Sequence, residues 1–372
     1  MSLSLRISAL RIPFRTSFKH ASADRKLGES IWVEATRDGL AGLGEGCPRV
    51  YVTGEDIESG ITWLLEIKEH IQQACTSLPR LIDWVMQNRD RIDAHPSAWC
   101  ALEMALLDLF AREQQLSVEA LFGLGSPLRT YSYSAVLGNS APEVFGKRVE
   151  MYLQYGFSDF KVKIEGELER DQSKLEHLLR SYEEHKGDTP RIRLDANNLW
   201  AGKTQEAISY MQQLKVSMMG IEEPVEPANY EALSTISSTL DISVILDESL
   251  CRLDQLAHYD ALQGTFIANL KVSRVGGVLR ALELVQALRD HNWPIIIGAH
   301  VGETSILTRA AMCVAQAAGD SLIAQEGGFG TRLLEYDNVS PCLMFGARGQ
   351  LNLASAEEDS KIGDTGWGLQ VL

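Results

Sequence analysis

The sequence predicts a parallel β/α barrel joined to a smaller α+β module. Three observations predict it. Between residues 160 and 302, short apolar runs repeatedly end in an ionisable residue: Lys163, Asp195, Glu222, Asp247, Lys271 and His300. The intervals between the last five are 27, 25, 24 and 29 positions, each long enough for one strand, one loop and one helix. Residues 1 to about 125 lack this rhythm and read as antiparallel strands followed by helices. In a closed barrel all strand C-termini open on one face. An open doubly wound sheet does not bring six consecutive strand ends to one point.

Leu3-Ser4-Leu5-Arg6-Ile7 and Ser30-Ile31-Trp32-Val33-Glu34-Ala35 alternate as strands, and Asp38-Gly39 is a turn signal before a return strand at 42–46. The polar, basic stretch 14–25, with Lys19, His20 and Arg25, reads as a loop, and a mobile lid and a solvated loop both suit it. From Thr53 the pattern is helical. Trp99, Leu102, Ala105, Leu106 and Leu109 fall at helical spacing. Residues 131–137 read as the first barrel strand, followed by a helix over 142–155. Helices are expected near 167–184, 203–214, 230–238, 253–262, 277–292 and 305–318, with a last strand at 321–326. The expected division is a capping module over 1–125, a barrel over 126–345 and a C-terminal segment over 346–372 that returns to the cap.

The chain has 372 residues, 45% of them apolar, with a net charge of −15. That acidity opposes binding to nucleic acid or an anionic membrane, since phosphate recognition needs a basic surface. No apolar run approaches the roughly 20 residues of a membrane span. The six cysteines are scattered without a C-x-x-C pair, which suggests neither zinc nor a disulfide framework. A cytoplasmic protein acting on a small-molecule carboxylate is the expectation.

Asp195, Glu222 and Asp247 end three successive strands. Carboxylates forced together repel, and a hard divalent cation relieves that repulsion while leaving coordination positions for substrate. Mg²⁺ is expected, and Mn²⁺ suits the same ligands. Lys163 and Lys271 flank this triad, and a desolvated lysine near a cation is expected to have a lowered pKa and to act as a base. Lys161 shares a strand face with Lys163 and is placed to hold a substrate oxygen. These parts suit proton abstraction next to a carboxylate, with the metal taking up charge as the enediolate forms. Return of the proton from the other face gives epimerisation. Loss of a β substituent gives elimination. A Schiff-base aldolase would not need the acids, and a non-catalytic binding protein would need neither lysine.

Lys161-Val162-Lys163, the stretch from Leu194 to Trp200, Ile221-Glu222-Glu223-Pro224-Val225, Leu246-Asp247-Glu248-Ser249 and the stretch from Asn269 to Gly277 together resemble the enolase superfamily, and within it the muconate lactonizing enzyme subgroup. The resemblance extends to Tyr51-Val52-Thr53-Gly54-Glu55 and the helix around Ala105 to Leu109. It implies a modified (β/α)7β TIM-type barrel, an N-terminal α+β capping domain completed by the C-terminal segment, Mg²⁺ on Asp195, Glu222 and Asp247, and Lys163 with Lys271 as the acid/base pair. Lys271 separates the chain from the mandelate racemase subgroup, which carries an aspartate there, paired with a histidine one strand later. His300 then reads as a substrate contact, a supporting group or a core histidine, and Glu303 as a hydrogen-bonding partner of the substrate carboxylate. Asn197, Glu248, Glu326 and Tyr51 complete the expected substrate contacts. Dipeptide epimerases of the subgroup usually carry Asp-x-Asp after the last strand, where this chain has Gln325-Glu326-Gly327-Gly328. Lys19, His20, Arg25, Arg49 and Tyr51 suggest a distal anionic or polar group, as on an N-acyl or succinyl-bearing acid. Such a family commonly assembles, which implies a homo-oligomer. The expected activity is racemisation or epimerisation of an N-acyl amino acid or dipeptide, with cycloisomerisation or β-elimination of the o-succinylbenzoate type as the alternative.

Overall fold

In the computed structural model the described residues are 2–20, 23–353 and 363–372; for 16–20 and 23–25 only the backbone is described. The cap sheet consists of β1 (Ser4–His20), β2 (Ala23–Arg37) and β3 (Leu40–Gly46), antiparallel in that order. Of the stretch 14–25, expected as a loop, Phe14–His20 and Ala23–Arg25 are extended. After a register irregularity between Pro13 and Phe18, the backbone of Phe18–His20 pairs with that of Ala23–Arg25, so β1 and β2 continue as a long hairpin.

The helix Pro96–Glu113 is buried almost all round because it lies between cap sheet and barrel. It seats on Gly42, Gly44 and Gly46, one face of β3. A Cβ on these glycines would come within 2.2, 1.9 and 1.8 Å of the carbonyl oxygens of Ala105, Ala101 and Ser97, so only glycine permits the approach. Two acids of the cap meet starts of barrel helices. Glu45 accepts hydrogen bonds from Thr304 N (3.1 Å) and Leu307 N (3.3 Å), and Glu103 accepts from Leu279 N (2.9 Å).

Four short strands pair two by two outside the cap and barrel sheets, β4 (Thr130–Ser132) among them. The barrel strands are β5 (Ala135–Leu137), β6 (Asp159–Lys163), β7 (Arg191–Asp195), β8 (Gly220–Glu222), β9 (Ser243–Leu246), β10 (Thr265–Leu270), β11 (Ile295–Ile297) and β12 (Leu322–Gln325). All pair in parallel and in sequential order, and Ser134 N donates to Gln325 O at 2.7 Å across the seam between first and last. The expected single strand 131–137 is therefore two. β4 instead pairs with β14 (Gln350–Asn352), the strand that follows β13 (Val339–Ser340). The expected helix at 253–262 is a 3-10 helix, Leu253–Tyr259.

Alternation along the strands divides the core. Ile245, Ile267, Ile296 and Ala324 form a cluster inside the barrel, separate from the main core of strands, helices and cap. Near the chain's end Trp367 is fully buried. Its indole donates to the carbonyls of Leu43 and Met104 in the cap, and its own carbonyl accepts from Arg309 of the helix Ser305–Ala318. The last strand, β15 (Gln370–Val371), pairs with β13. All six cysteines are free. Among the described residues, no helix is long and apolar enough to cross a membrane.

Candidate active site

The barrel register sets the site. Lys163 pairs with Asp195 and Asp195 with Glu222 across β6, β7 and β8, which puts the three side chains at one height on the inward face. Asp247 follows two residues after Ile245, the partner of Glu222, and so also points inward. Lys271 follows β10 on the inward parity of Ile267 and Asn269. Gly298, just past β11, gives it room, since a Cβ there would stand 3.1 Å from Lys271 Cε and 2.2 Å from Asn269 Oδ1.

These groups open into one cavity of about 480 Å³. Of the residues expected at the site, Lys161, Lys163, Asp195, Asn197, Glu222, Asp247, Glu248, Lys271, His300, Glu326 and Tyr51 all line it. Glu303 does not. It lines a small adjoining recess, where its carboxylate accepts the His300 N–H at 2.6 Å. Arg49, suggested as a substrate contact, is buried and spends its guanidinium on the carbonyls of Pro48 and Val301. The side chains of Lys19, His20 and Arg25 lie outside the described residues.

Each acid of the triad is met by a cation. Asp195 stands 3.4 Å from Lys161 and 3.3 Å from Lys163. Glu222 accepts from Lys161 at 2.7 Å and from Asn269 at 3.3 Å. Asp247 accepts from Lys271 at 2.8 Å and from Arg274. As placed, no group of three acids, thiols or imidazoles among the described residues converges on one point. The donor set nonetheless suits a hard divalent cation: three carboxylates at adjoining strand ends, with Glu222 Oε2 buried and without a hydrogen-bonding partner. Burial and the neighbouring Asp195 and Asp247 push the Glu222 carboxyl up to about 8 against the pull of Lys161, as expected where negative groups outnumber local compensation.

The expectation of a lowered lysine pKa is reversed at Lys271. Burial lowers it, but the Asp247 carboxylate outweighs burial and holds the ammonium above its ordinary value. Lys161 is raised in the same way, by Glu222, Glu326 and Asp195 against burial. His300 is the opposite case. Burial, together with the charges of Arg49, Lys271 and Arg274, drives it well below its ordinary value, and both ring nitrogens are buried without hydrogen-bonding partners, Glu303 standing 3.9 Å from Nδ1. It is a neutral imidazole facing the cavity.

Glu223 accepts from Asp247 N (2.7 Å), Ser249 N (2.8 Å) and Ser249 Oγ (2.8 Å), and so fixes the turn that carries Asp247. Glu326 is gripped by Lys161 at 3.2 Å and by Arg193 at 3.3 Å. Arg193 is fully buried in the barrel lumen and also bonds Asp159 and Ser134. Among the cavity residues, sequence reading missed Arg148, Met151, Tyr152 and Tyr155 of the helix Pro142–Tyr155, and Arg332 beyond β12. Barrel helices ordinarily face outward, so nothing in that helix marked it as lining. The Gly-rich run 327–330 did mark a loop after the last strand.

Residues 5–123 match the family model "Mandelate racemase / muconate lactonizing enzyme, N-terminal domain", and residues 145–345 match "Enolase C-terminal domain-like". The chain is 29% identical over 316 residues to the hydrophobic dipeptide epimerase of Enterococcus faecalis, covering 84% of this chain and 86% of that one. It is 26% identical over 323 residues to the N-succinyl-L-Arg/Lys racemase of Bacillus cereus, covering 84% and 83%. The crystal structure of the Enterococcus faecalis dipeptide epimerase, complexed with Mg and the dipeptide L-Leu-L-Tyr, matches it with a TM-score of 0.80 at 25% identity over the whole of both chains. With both family models aligned on a capped barrel whose strand ends carry the lysines and acids, this chain belongs to the enolase superfamily, in the mandelate racemase and muconate lactonizing enzyme group.

Proposed function

We propose that this chain is a metal-dependent racemase or epimerase that removes and returns the α-proton of a carboxylate amino-acid derivative, with Lys163 and Lys271 as the two proton carriers. One observation carries the reading. Lys163 ends β6 and Lys271 follows β10, four strands on in a ring of eight, so the two ammonium groups face one another across the mouth of the cavity. A substrate α-carbon held between them meets one lysine on each face. The neutral amine of one removes the proton, and the ammonium of the other donates from the opposite side. Lys161 lies beside Asp195 and Glu222, where it can hold an oxygen of the substrate carboxylate. Asn197 accepts from Lys163 at 2.6 Å and orients it. A hard divalent cation on Asp195, Glu222 and Asp247, such as Mg²⁺, would supply positive charge where the substrate carboxylate gains negative charge, and would compensate the acids that now raise the pKa of Lys161 and Lys271. The names of the similar proteins, epimerases of dipeptides and a racemase of N-succinyl amino acids, support an amino-acid derivative as substrate.

The test is proton NMR in D₂O with Mg²⁺ against N-acyl amino acids, dipeptides and succinyl acids. Loss of an α-proton signal with growth of the other stereoisomer is the expected result. An alkene or lactone signal without epimerisation would move the chain to elimination or cycloisomerisation.

A further inference from the structure

The cavity is chemically two-ended. At the strand ends stand the acids and lysines described above. On the wall formed by the helix Pro142–Tyr155, residues Arg148, Met151, Tyr152 and Tyr155 line the cavity at helical spacing, so one face of this helix is turned inward. Gly138 after β5 lies beside the guanidinium, where a Cβ would stand 3.8 Å from Arg148 Nη1, in ordinary contact. In a chain of net charge −15, the fully buried arginines 193, 274 and 309 each meet a carboxylate. Arg148 lines the cavity and has no hydrogen-bonding or ionic partner among the described residues.

Arg332 closes the same wall. Its Nε donates to Phe345 O at 3.0 Å and its Nη1 to Tyr155 OH, and the guanidinium stacks over the Tyr155 ring at 4.4 Å and the Phe345 ring at 5.0 Å. These contacts fix its plane, leave Nη2 without a partner among the described residues, and bring no carboxylate to it. Both guanidinium groups line the one cavity beside Tyr152, and the charge of each favours the ionised form of that residue, against the burial that pushes its hydroxyl up to about 12.

We propose that Arg148 and Arg332 form a distal anion subsite, which binds a second carboxylate carried by the substrate at the end remote from its reacting α-carbon. The subsite rests on the epimerase reading for its meaning in catalysis, but it is a binding site in its own right. A planar guanidinium held by aromatic stacking, with a second, unpaired one lining the same cavity, suits a carboxylate through charge-assisted hydrogen bonds. Glu326, the acid after the last strand, is meanwhile occupied by Lys161 and Arg193. The substrate class this favours is a dicarboxylate, such as an amino acid acylated by a diacid.

The probes are N-succinylglycine and its neutral counterpart with the succinyl carboxylate converted to the carboxamide. Binding of each to the full chain with Mg²⁺ is measured by titration calorimetry, and α-proton exchange in D₂O is followed in parallel. The wild type is expected to bind the dicarboxylate at least roughly tenfold more tightly than the amide, and Arg148→Gln or Arg332→Gln to bring that ratio close to one. A wild type that does not prefer the dicarboxylate, or variants that keep the preference, would overturn the subsite. Because the ratio compares two ligands on one protein, a variant that is merely less stable does not imitate the expected result. Charge-selective binding without exchange would support the subsite and count against the epimerase reading; exchange without charge selectivity would do the reverse.

Discussion

Lys163 and Lys271 sit in mirrored settings with unequal partners. Lys163 has Asp195 at 3.3 Å and the neutral Asn197 oxygen at 2.6 Å, whereas Lys271 has Asp247 at 2.8 Å and shares that acid with Arg274. With one proton carrier on each face of the α-carbon, the two lysines are separable by substrate handedness. Lys163→Met and Lys271→Met are each expected to lower racemisation by roughly 10²–10⁴-fold, the usual worth of a positioned acid or base. Each variant should still exchange the α-proton of one stereoisomer in D₂O, and the two variants should retain opposite ones. Exchange of both stereoisomers by either variant would remove that lysine from the chemistry. The identity of these residues was legible in the sequence because each ends an apolar run at one-unit intervals. The raised pKa of Lys271 was not, since it depends on Asp247 standing 2.8 Å away, and that is a matter of side-chain direction. Arg148 was illegible for a related reason: a lone arginine in an amphipathic helix looks the same whether its face meets solvent or a cavity.

At the scale of elements, cap and barrel are pinned by acids at helix starts. Glu103, fully buried on the helix Pro96–Glu113, accepts from Leu279 N at the start of the helix Val278–Asp290 and from Trp99 Nε1 at 3.1 Å. Burial pushes its carboxyl from the ordinary 4.5 up to about 7. The folded form therefore holds a proton more tightly than the unfolded chain does. Its contribution is fully present below about pH 4.5 and is lost as pH rises toward 7. Over that window the wild type should lose about 3 kcal/mol relative to Glu103→Gln, read by urea unfolding at stepped pH. Parallel stability profiles for the two proteins would refute this. Such pins explain why the order of elements was readable while their joins were not. The barrel strands are buried apolar runs with sharp ends. By contrast, the split between β4 and β5 arises because Thr130–Ser132 pairs with Gln350–Asn352, over two hundred residues away. The stretch of sequence that extends β1 and β2, 14–25, carries no regular hydrophobic alternation for a reader to follow.

For the whole molecule, the triad concentrates negative charge at the centre of the barrel mouth, compensated by lysines that the proposed chemistry needs for itself. A divalent cation that binds the folded protein should therefore stabilise it by mass action, by about 2.7 kcal/mol at a hundredfold excess over Kd. The melting temperature is expected to rise with Mg²⁺, to fall back with a chelator, and to be insensitive to Mg²⁺ in Asp247→Asn. A rise preserved in that variant would place the ion elsewhere. The architecture that gathers this mouth was legible from strand spacing, and residues 346–372 were expected to return to the cap, but the residue that makes the contact was not legible, because Trp367 lies far outside the βα rhythm. Trp367 completes the seat of β3 and the helix Pro96–Glu113, touching Leu43, Met104 and Asp108. During synthesis the cap strands leave the ribosome before the barrel, yet the indole that fills their core is made more than three hundred residues later. The cap must therefore wait, with its core unfinished, until the entire barrel has been translated, so that a part of the molecule made before the barrel is completed only after it.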